Sequence, residues 1–154
     1  MLYLFYFFIT LTSFAFMEGF AWFTHKYIMH GPLWFIHKSH HVISKGTFQL
    51  NDLFAVIFAV PSWLFMQFGV MDGFDYKFFI GTGITLYGAW YFAVHDVFVH
   101  QRIKWLKKTK NKYMQGLRRA HKVHHKSLVK DNNECFGFLL VPRKYHRQYN
   151  ETSE

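Results

Sequence analysis

The sequence predicts an all-α fold: an integral-membrane helical bundle of three or four spans with a histidine-rich cap on one face. Three observations predict it. Long apolar runs are separated by polar links, the basic residues gather in two segments outside those runs, and ten of the 11 histidines fall into a spaced pattern that occurs twice. Composition agrees. The 154 residues are 51% hydrophobic and 22% aromatic, yet carry 18 Lys and Arg against 9 Asp and Glu. A mean hydropathy near zero therefore averages over very apolar and very basic stretches. The length suits one domain covering residues 1–154, and no Pro-, Gly- or Ser-rich linker divides it.

In residues 1–23 the only charge is Glu18. At about 1.5 Å per residue, a helix of that length spans the roughly 30 Å hydrocarbon core. It lacks the basic start and small-residue cleavage site of a signal peptide, so it is expected to be a retained anchor. Residues 53–71 form a second uncharged run, with Pro61 inside it, and residues 78–94 form a third. Any kink at Pro61 is tolerable, because neighbouring helices can satisfy the freed carbonyl. The polar link 72–77, with Gly73 available for a turn, joins these two runs into a helical hairpin. Residues 135–141 are too short to span, and are expected to lie at the interface or plug back against the bundle. The single cysteine, Cys135, excludes an internal disulfide and a thiolate-based metal site.

Charge sets the expected orientation. Lys77 alone lies in the hairpin link; the other 17 basic residues lie in segments 26–45 and 102–147. Three spans place both segments on one side, which the positive-inside rule makes cytoplasmic. The cap and the C-terminus are then cytoplasmic, and the N-terminus is outside. The basic run 102–112 is read first as a topology determinant in contact with anionic headgroups, and second as a docking patch. Nucleic-acid binding is not expected.

The histidines carry the chemistry. His25 and His30 form H-x4-H, and His37, His40 and His41 form H-x2-H-H; His95 and His100 repeat the first, and His121, His124 and His125 the second. The pair recurs 70 residues on and the triplet 84 residues on, so one module is used twice. Positions i, i+3 and i+4 share a helix face, and three imidazoles can converge there. Five residues instead turn a regular helix by about 500°, roughly 140° past a full turn. The rings of each H-x4-H pair then diverge, unless the helix loosens or they serve different metals. Gly31-Pro32 offers a reason to loosen after His30, since Pro disfavours helix in the residue before it; nothing comparable follows His100.

Ten imidazoles exceed the shell of one octahedral ion and suit two. Zinc ordinarily takes four ligands, so ten nitrogens for two ions point to iron, and a pair of ferrous ions in a water-poor pocket is a site for activating O2. Zinc can substitute on purification, because it binds nitrogen ligands more tightly than ferrous iron. A lone histidine on an apolar face is ordinarily packed or hydrogen-bonded, which is the expectation for His146. The reading from another class is a metal transporter or a metal-binding membrane protein. Transport sites, however, sit near the bilayer midplane, and these histidines cluster at one end.

The duplicated pattern is similar to that of the membrane fatty acid hydroxylase and sterol desaturase superfamily. Longer strings narrow the resemblance: HKYIMHGPLWFIHKSHH from His25, NDLFAVIFA from Asn51, TLYGAWYFAVHDVFVHQR from Thr85, AHKVHHK from Ala120 and ECFGFLLVP from Glu134 resemble the bacterial β-carotene hydroxylases. The resemblance covers residues 16–142, with Val97 standing where many relatives have Gly. It implies a non-haem di-iron monooxygenase of the bacterial inner membrane, using O2 and two electrons per hydroxylation. Hydroxylation would fall on C3 and then C3′ of the β-ionone rings of β-carotene, a lipid-soluble substrate, giving β-cryptoxanthin and zeaxanthin. Ferredoxin or a similar carrier would supply the electrons. Within the same superfamily, a hydroxylase, desaturase or ketolase acting on another lipid is the alternative.

Metal-binding histidines commonly give their second N–H to a carboxylate or carbonyl. Asp96, beside His95 and four residues before His100, and Asp52 are the candidates. Asn51, Glu134 and Glu18 also lie near span ends, where a helix cap or a solvated side chain explains them as well. Trp90 and Tyr91, one turn before His95, are candidates to line a pocket for the substrate ring.

Overall fold

The computed structural model describes residues 1–42, 48–105, 108–131 and 133–146; Lys45, Lys107 and Arg147, counted above among the basic residues, lie outside them. Every regular element among the described residues is helical. Helix α1 (Leu2–Phe23) runs on as a π-helical stretch, Thr24–Met29. Helix α2 (Trp34–His41) carries the first triplet. A 3-10 turn, Leu50–Asp52, leads into α3 (Leu53–Met71), which passes through Pro61 without interruption. Helix α4 (Tyr76–Tyr91) continues as a second π-helical stretch, Phe92–Val99, and α5 (Lys112–His124) carries the second triplet.

The expected hairpin is present. The Gly69 carbonyl closes α3 by accepting from the amides of Phe74 (2.7 Å) and Asp75 (3.3 Å). Gly73 and Phe74 take positive φ (79° and 62°) to reverse the chain, and Asp75 caps α4 by accepting from the Lys77 amide at 3.0 Å. Helix α4 packs against both α1 and α3. Its approach to α1 is close: a Cβ on Gly83 would stand 2.5 Å from the Thr10 carbonyl oxygen. Between α3 and α4 the buried Ser62 hydroxyl donates to the Gly81 carbonyl at 2.8 Å.

Two stretches, Leu2–Met29 and Leu50–Met71, are long and apolar enough to cross a membrane. The third apolar run forms the 16-residue α4. Large apolar side chains, such as Phe5, Phe7, Val56, Ile57 and Trp63, project outward along α1 and α3. The buried apolar cluster sits instead at the histidine end, where Val94, Phe98, Val99, Leu117 and Phe138 meet. Contiguous exposed apolar side chains of this kind mark a surface that meets a membrane or another apolar partner. Residues 135–141 take the second course expected for them and fold back against the bundle, held by Glu18 of α1. Its Oε1 accepts from three successive amides, Phe138, Leu139 and Leu140, at 3.0, 2.7 and 3.0 Å.

Candidate metal centre

Both H-x4-H pairs lie on π-helical turns. The His30 amide donates to the His25 carbonyl (3.0 Å) and the His100 amide to the His95 carbonyl (2.9 Å), each closing a five-residue ring. An i to i+5 ladder puts residues five apart nearly above one another, so the divergence expected of a regular helix does not arise. Each pair serves one site. The Gly31-Pro32 break is not the common cause, since the second pair adopts the same turn without it. Local widening of this kind is frequent at functional sites.

The ten histidines fall into two groups with one residue between them. Among the described residues, His25, His30, His37, His41 and His124 place ligand atoms within 4.8 Å of one another, and so do His40, His95, His100 and His121. The first group takes its fifth member from the second repeat, and the second takes His40 from the first repeat. The member exchanged is the middle histidine of each triplet. His125 stands between the groups, its ring centroid 4.4 Å from that of His121 and 4.5 Å from that of His41. Its Nε2 is buried without a hydrogen-bond partner. His146 lies apart, stacked on Tyr113 with ring centroids 5.4 Å apart.

Outward nitrogens are tied down. Nδ1–H of His25 donates to the Phe136 carbonyl (3.0 Å), His30 to Lys130 (3.0 Å), His41 to Ser127 (3.0 Å) and His124 to Glu134 (2.9 Å). His37 donates to Asn51 Oδ1 (2.7 Å) and His40 to Gln49 Oε1 (3.0 Å). Carbonyl oxygens only accept, so the hydrogen sits on Nδ1 and the lone pair on Nε2 points inward. Inward nitrogens then face each other closely: His25 to His37 at 3.1 Å, His30 to His124 at 3.2 Å and His41 to His37 at 3.2 Å. Lone pairs cannot hydrogen-bond to one another; a cation between them removes the repulsion. Adjacent nitrogens on one ion stand about 3 Å apart, given metal–nitrogen bonds of about 2.0–2.1 Å. The donor set therefore fits metal ions in both position and protonation.

Electrostatics point the same way. Burial pushes His37 down to about 2, His40 and His41 to about 4, and His100 and His124 to about 3; neighbouring imidazoles add to this at His41, His100 and His124. His121 and His125 are lowered by the same causes. All are neutral at pH 7, the form a metal binds.

Asp96 reaches His95 Nδ1 at 3.3 Å, and its other oxygen takes Arg102 at 3.1 Å. Burial raises its carboxyl to about 6, with Arg102 pulling the other way. Asp52 touches no histidine among the described residues. It accepts from Arg102 (2.9 Å) and from the Gln49 amide (2.9 Å), and Gln49 in turn accepts from His40. Gln49 carries no motif, and four of the acceptors are main-chain carbonyls, which no side-chain pattern can reveal. Tyr91 stacks on His95 with centroids 4.6 Å apart. Trp90 lies on the outer side, where it lines an open apolar groove of about 400 Å³ with Phe14, Val94, Met114, Leu117 and Leu139.

Residues 10–142 match the fatty acid hydroxylase family. The chain is 43% identical to a β-carotene hydroxylase of Pseudescherichia vulneris over 86% of its own length and 75% of the relative's. It is 44% identical to one of Pantoea ananas, over 82% and 71%. With a chloroplastic β-carotene 3-hydroxylase of Gentiana lutea it shares 36% identity over 83% of this chain and 40% of the plant protein. No solved structure matches it.

Proposed function

This chain belongs to the fatty acid hydroxylase family, and from that premise we propose that it is a di-iron monooxygenase that hydroxylates β-carotene at C3 and then C3′. The observation that carries the reading is the pair of interlocked histidine groups at one end of an apolar bundle; the choice of substrate rests on the relatives. Five imidazoles in the first group exceed the four ligands usual for zinc, which favours iron. Two bound irons would supply O2 activation: one oxygen atom would enter a ring C–H bond and the other leave as water, with two electrons arriving one at a time from a reduced carrier such as ferredoxin and two protons from water.

What the chain itself does is bind and orient. Nδ1–H bonds orient His25, His30, His37, His40, His41, His95 and His124 with their lone pairs inward. Phe136 packs on His25, His30 and His124 with centroids 5.1–5.5 Å apart, and Phe138 packs on Tyr91 at 4.5 Å. These rings keep water from the side that faces the bundle. The groove beside Trp90 opens among apolar side chains and offers a lipid-borne ring a way toward Val94, the neighbour of His95. No side chain is asked to act as nucleophile or general acid. The exposed lysines Lys104, Lys108 and Lys110 give the histidine end a positive face for headgroups or an acidic carrier.

The direct test is expression in cells that accumulate β-carotene, followed by pigment analysis. β-Cryptoxanthin and zeaxanthin are expected, together with about two iron ions per purified chain; unchanged pigment in iron-replete cells refutes the substrate, and one ion per chain refutes the di-iron centre. We place the chain in a bacterial inner membrane, as a single domain with three spans and the histidine cap in the cytoplasm. Reporters fused at Asp75 and after Glu154, which lies outside the described residues, should then fall on opposite sides. Finding both on one side sinks the three-span arrangement.

Asp96 provides a graded test. Asp96→Asn keeps an acceptor for His95 but loses the charge, and Asp96→Ala loses both. Losing a group that orients a ligand typically costs about 10- to 100-fold in activity or metal affinity. Turnover and metal content should fall together from wild type to Asn to Ala. Full metal content and turnover in Asp96→Ala would show the carboxylate to be only a partner for Arg102.

A further inference from the structure

We propose that Glu18 is a positioning residue for the first histidine group, acting through the chain that follows α5. The inference rests on the metal-centre reading above and concerns Glu18, which none of the histidine motifs or longer strings includes. Four of the five histidines in the first group are oriented by carbonyls of this one stretch: Ser127 for His41, Lys130 for His30, Glu134 for His124 and Phe136 for His25. The stretch forms no helix or strand over the described residues 127–131 and 133–141, so its own backbone does not hold those carbonyls in place. In the second group, His40 and His95 lean on side chains instead, Gln49 and Asp96.

Glu18 supplies the missing rigidity. Its Oε1 gathers the amides of Phe138, Leu139 and Leu140, the nearest at 2.7 Å, and its Oε2 accepts from the Tyr87 hydroxyl at 2.8 Å. A carboxylate in an apolar bundle is stable only when its acceptor capacity is filled, and charge-assisted bonds of this kind are stronger than neutral ones. Tyr113 adds a bond from α5 to the Leu139 carbonyl. Glu18 also lies seven residues before His25 on the same helix, two turns away and on the same face. Helix α1 and its π-helical continuation therefore hold both the His25 ring and, through Glu18, the strap whose Phe136 carbonyl orients that ring. Loss of the carboxylate leaves three amides without an acceptor and frees the strap, and the four carbonyls lose their aim together.

The test uses the full chain purified in detergent, with metal content and amide hydrogen exchange as readouts. Glu18→Ala should reduce bound metal from about two ions per chain to about one, and residues 136–141 should lose their exchange protection. Adding His121→Ala should then remove the remaining ion, whereas adding His41→Ala should change nothing further. Glu18→Gln keeps an oxygen acceptor and should fold with partial protection and intermediate metal content, which guards against a simple folding failure in the alanine variant. The proposal is overturned if Glu18→Ala keeps both ions, if the ion lost belongs to the second group, or if Glu18→Gln, folded, loses both ions. Wild-type protein with fewer than two ions would instead overturn the di-iron reading. The exchange measurement still decides the clamp in that case: unchanged protection in Glu18→Ala overturns it.

Discussion

Replacing His124 with alanine is expected to abolish metal binding in the first histidine group and to end turnover, although His124 lies in the second repeat. Its Nε2 faces His30 Nε2 at 3.2 Å, and its ring is fully buried at 0% exposure. A methyl group there leaves both a missing donor and a void that no other imidazole can fill. The loss should exceed the roughly 10- to 100-fold cost of removing a group that merely orients a ligand. His40→Ala should do the same to the second group, where His40 Nε2 meets His95 Nε2 at 3.2 Å. Metal analysis can tell the two apart: His124→Ala combined with His41→Ala should retain one ion, as either does alone, while His124→Ala combined with His40→Ala should retain none. His146→Ala is the control and should keep full activity, since His146 stacks on Tyr113 away from both groups. Active His124→Ala protein with two ions would show that the exchange between repeats has been misread.

The second large effect is expected at Gly83. A Cβ there meets the Thr10 carbonyl oxygen at 2.5 Å, Ser13 Cβ at 2.7 Å and the Phe14 amide nitrogen at 3.1 Å. Two of these are backbone atoms, so no rotamer change relieves the contact; α1 and α4 must separate. Small residues at such crossings let helices approach closely within lipid, and overpacking typically costs about 1–3 kcal/mol, sometimes more. Gly83→Val, with its branched side chain, should lose most of its folded, monodisperse protein in detergent. Gly88→Ala on the same helix is the contrast, because nothing lies within 4 Å of its Cβ. Alanine removes the flexibility penalty of glycine, roughly 0.5–1 kcal/mol, so thermal stability should hold or rise. Equal behaviour of Gly83→Val and Gly88→Ala would remove the case for close α1–α4 packing.

Much of this molecule was legible before its structure, for physical reasons. Apolar runs bounded by charge have few ways to fold, and the hairpin at Gly73 follows from a short polar link. Ten histidines at repeated spacings announced a candidate metal centre because side-chain chemistry is written residue by residue. What stayed hidden depends on the backbone. The π turns at His25–His30 and His95–His100 are a choice of hydrogen-bond partner, and the second pair has no breaker beside it to betray that choice. The carbonyls of Ser127, Lys130, Glu134 and Phe136 belong to every residue type alike. Glu18 looked like a helix cap or a solvated charge, because the amides it binds lie 120 or more residues away in the chain. The trade of His40 for His124 needed the relative placement of α2 and α5, which spacing within each repeat does not encode.

That trade has a consequence for the unfolded chain. His30 and His124 are 94 residues apart and meet in one group, while His40 and His95, 55 apart, meet in the other. An ion seated in either group therefore closes a long loop, as a disulfide does, in a protein whose single cysteine can form no such bond within the chain. Loop closure favours the native state by restricting the unfolded ensemble, and the restriction grows slowly with loop length. The two closures also overlap, since each begins before α3 and ends beyond α4. Metal-loaded protein would thus be cross-linked from the end of α1 to α5 by bonds that a chelator can remove.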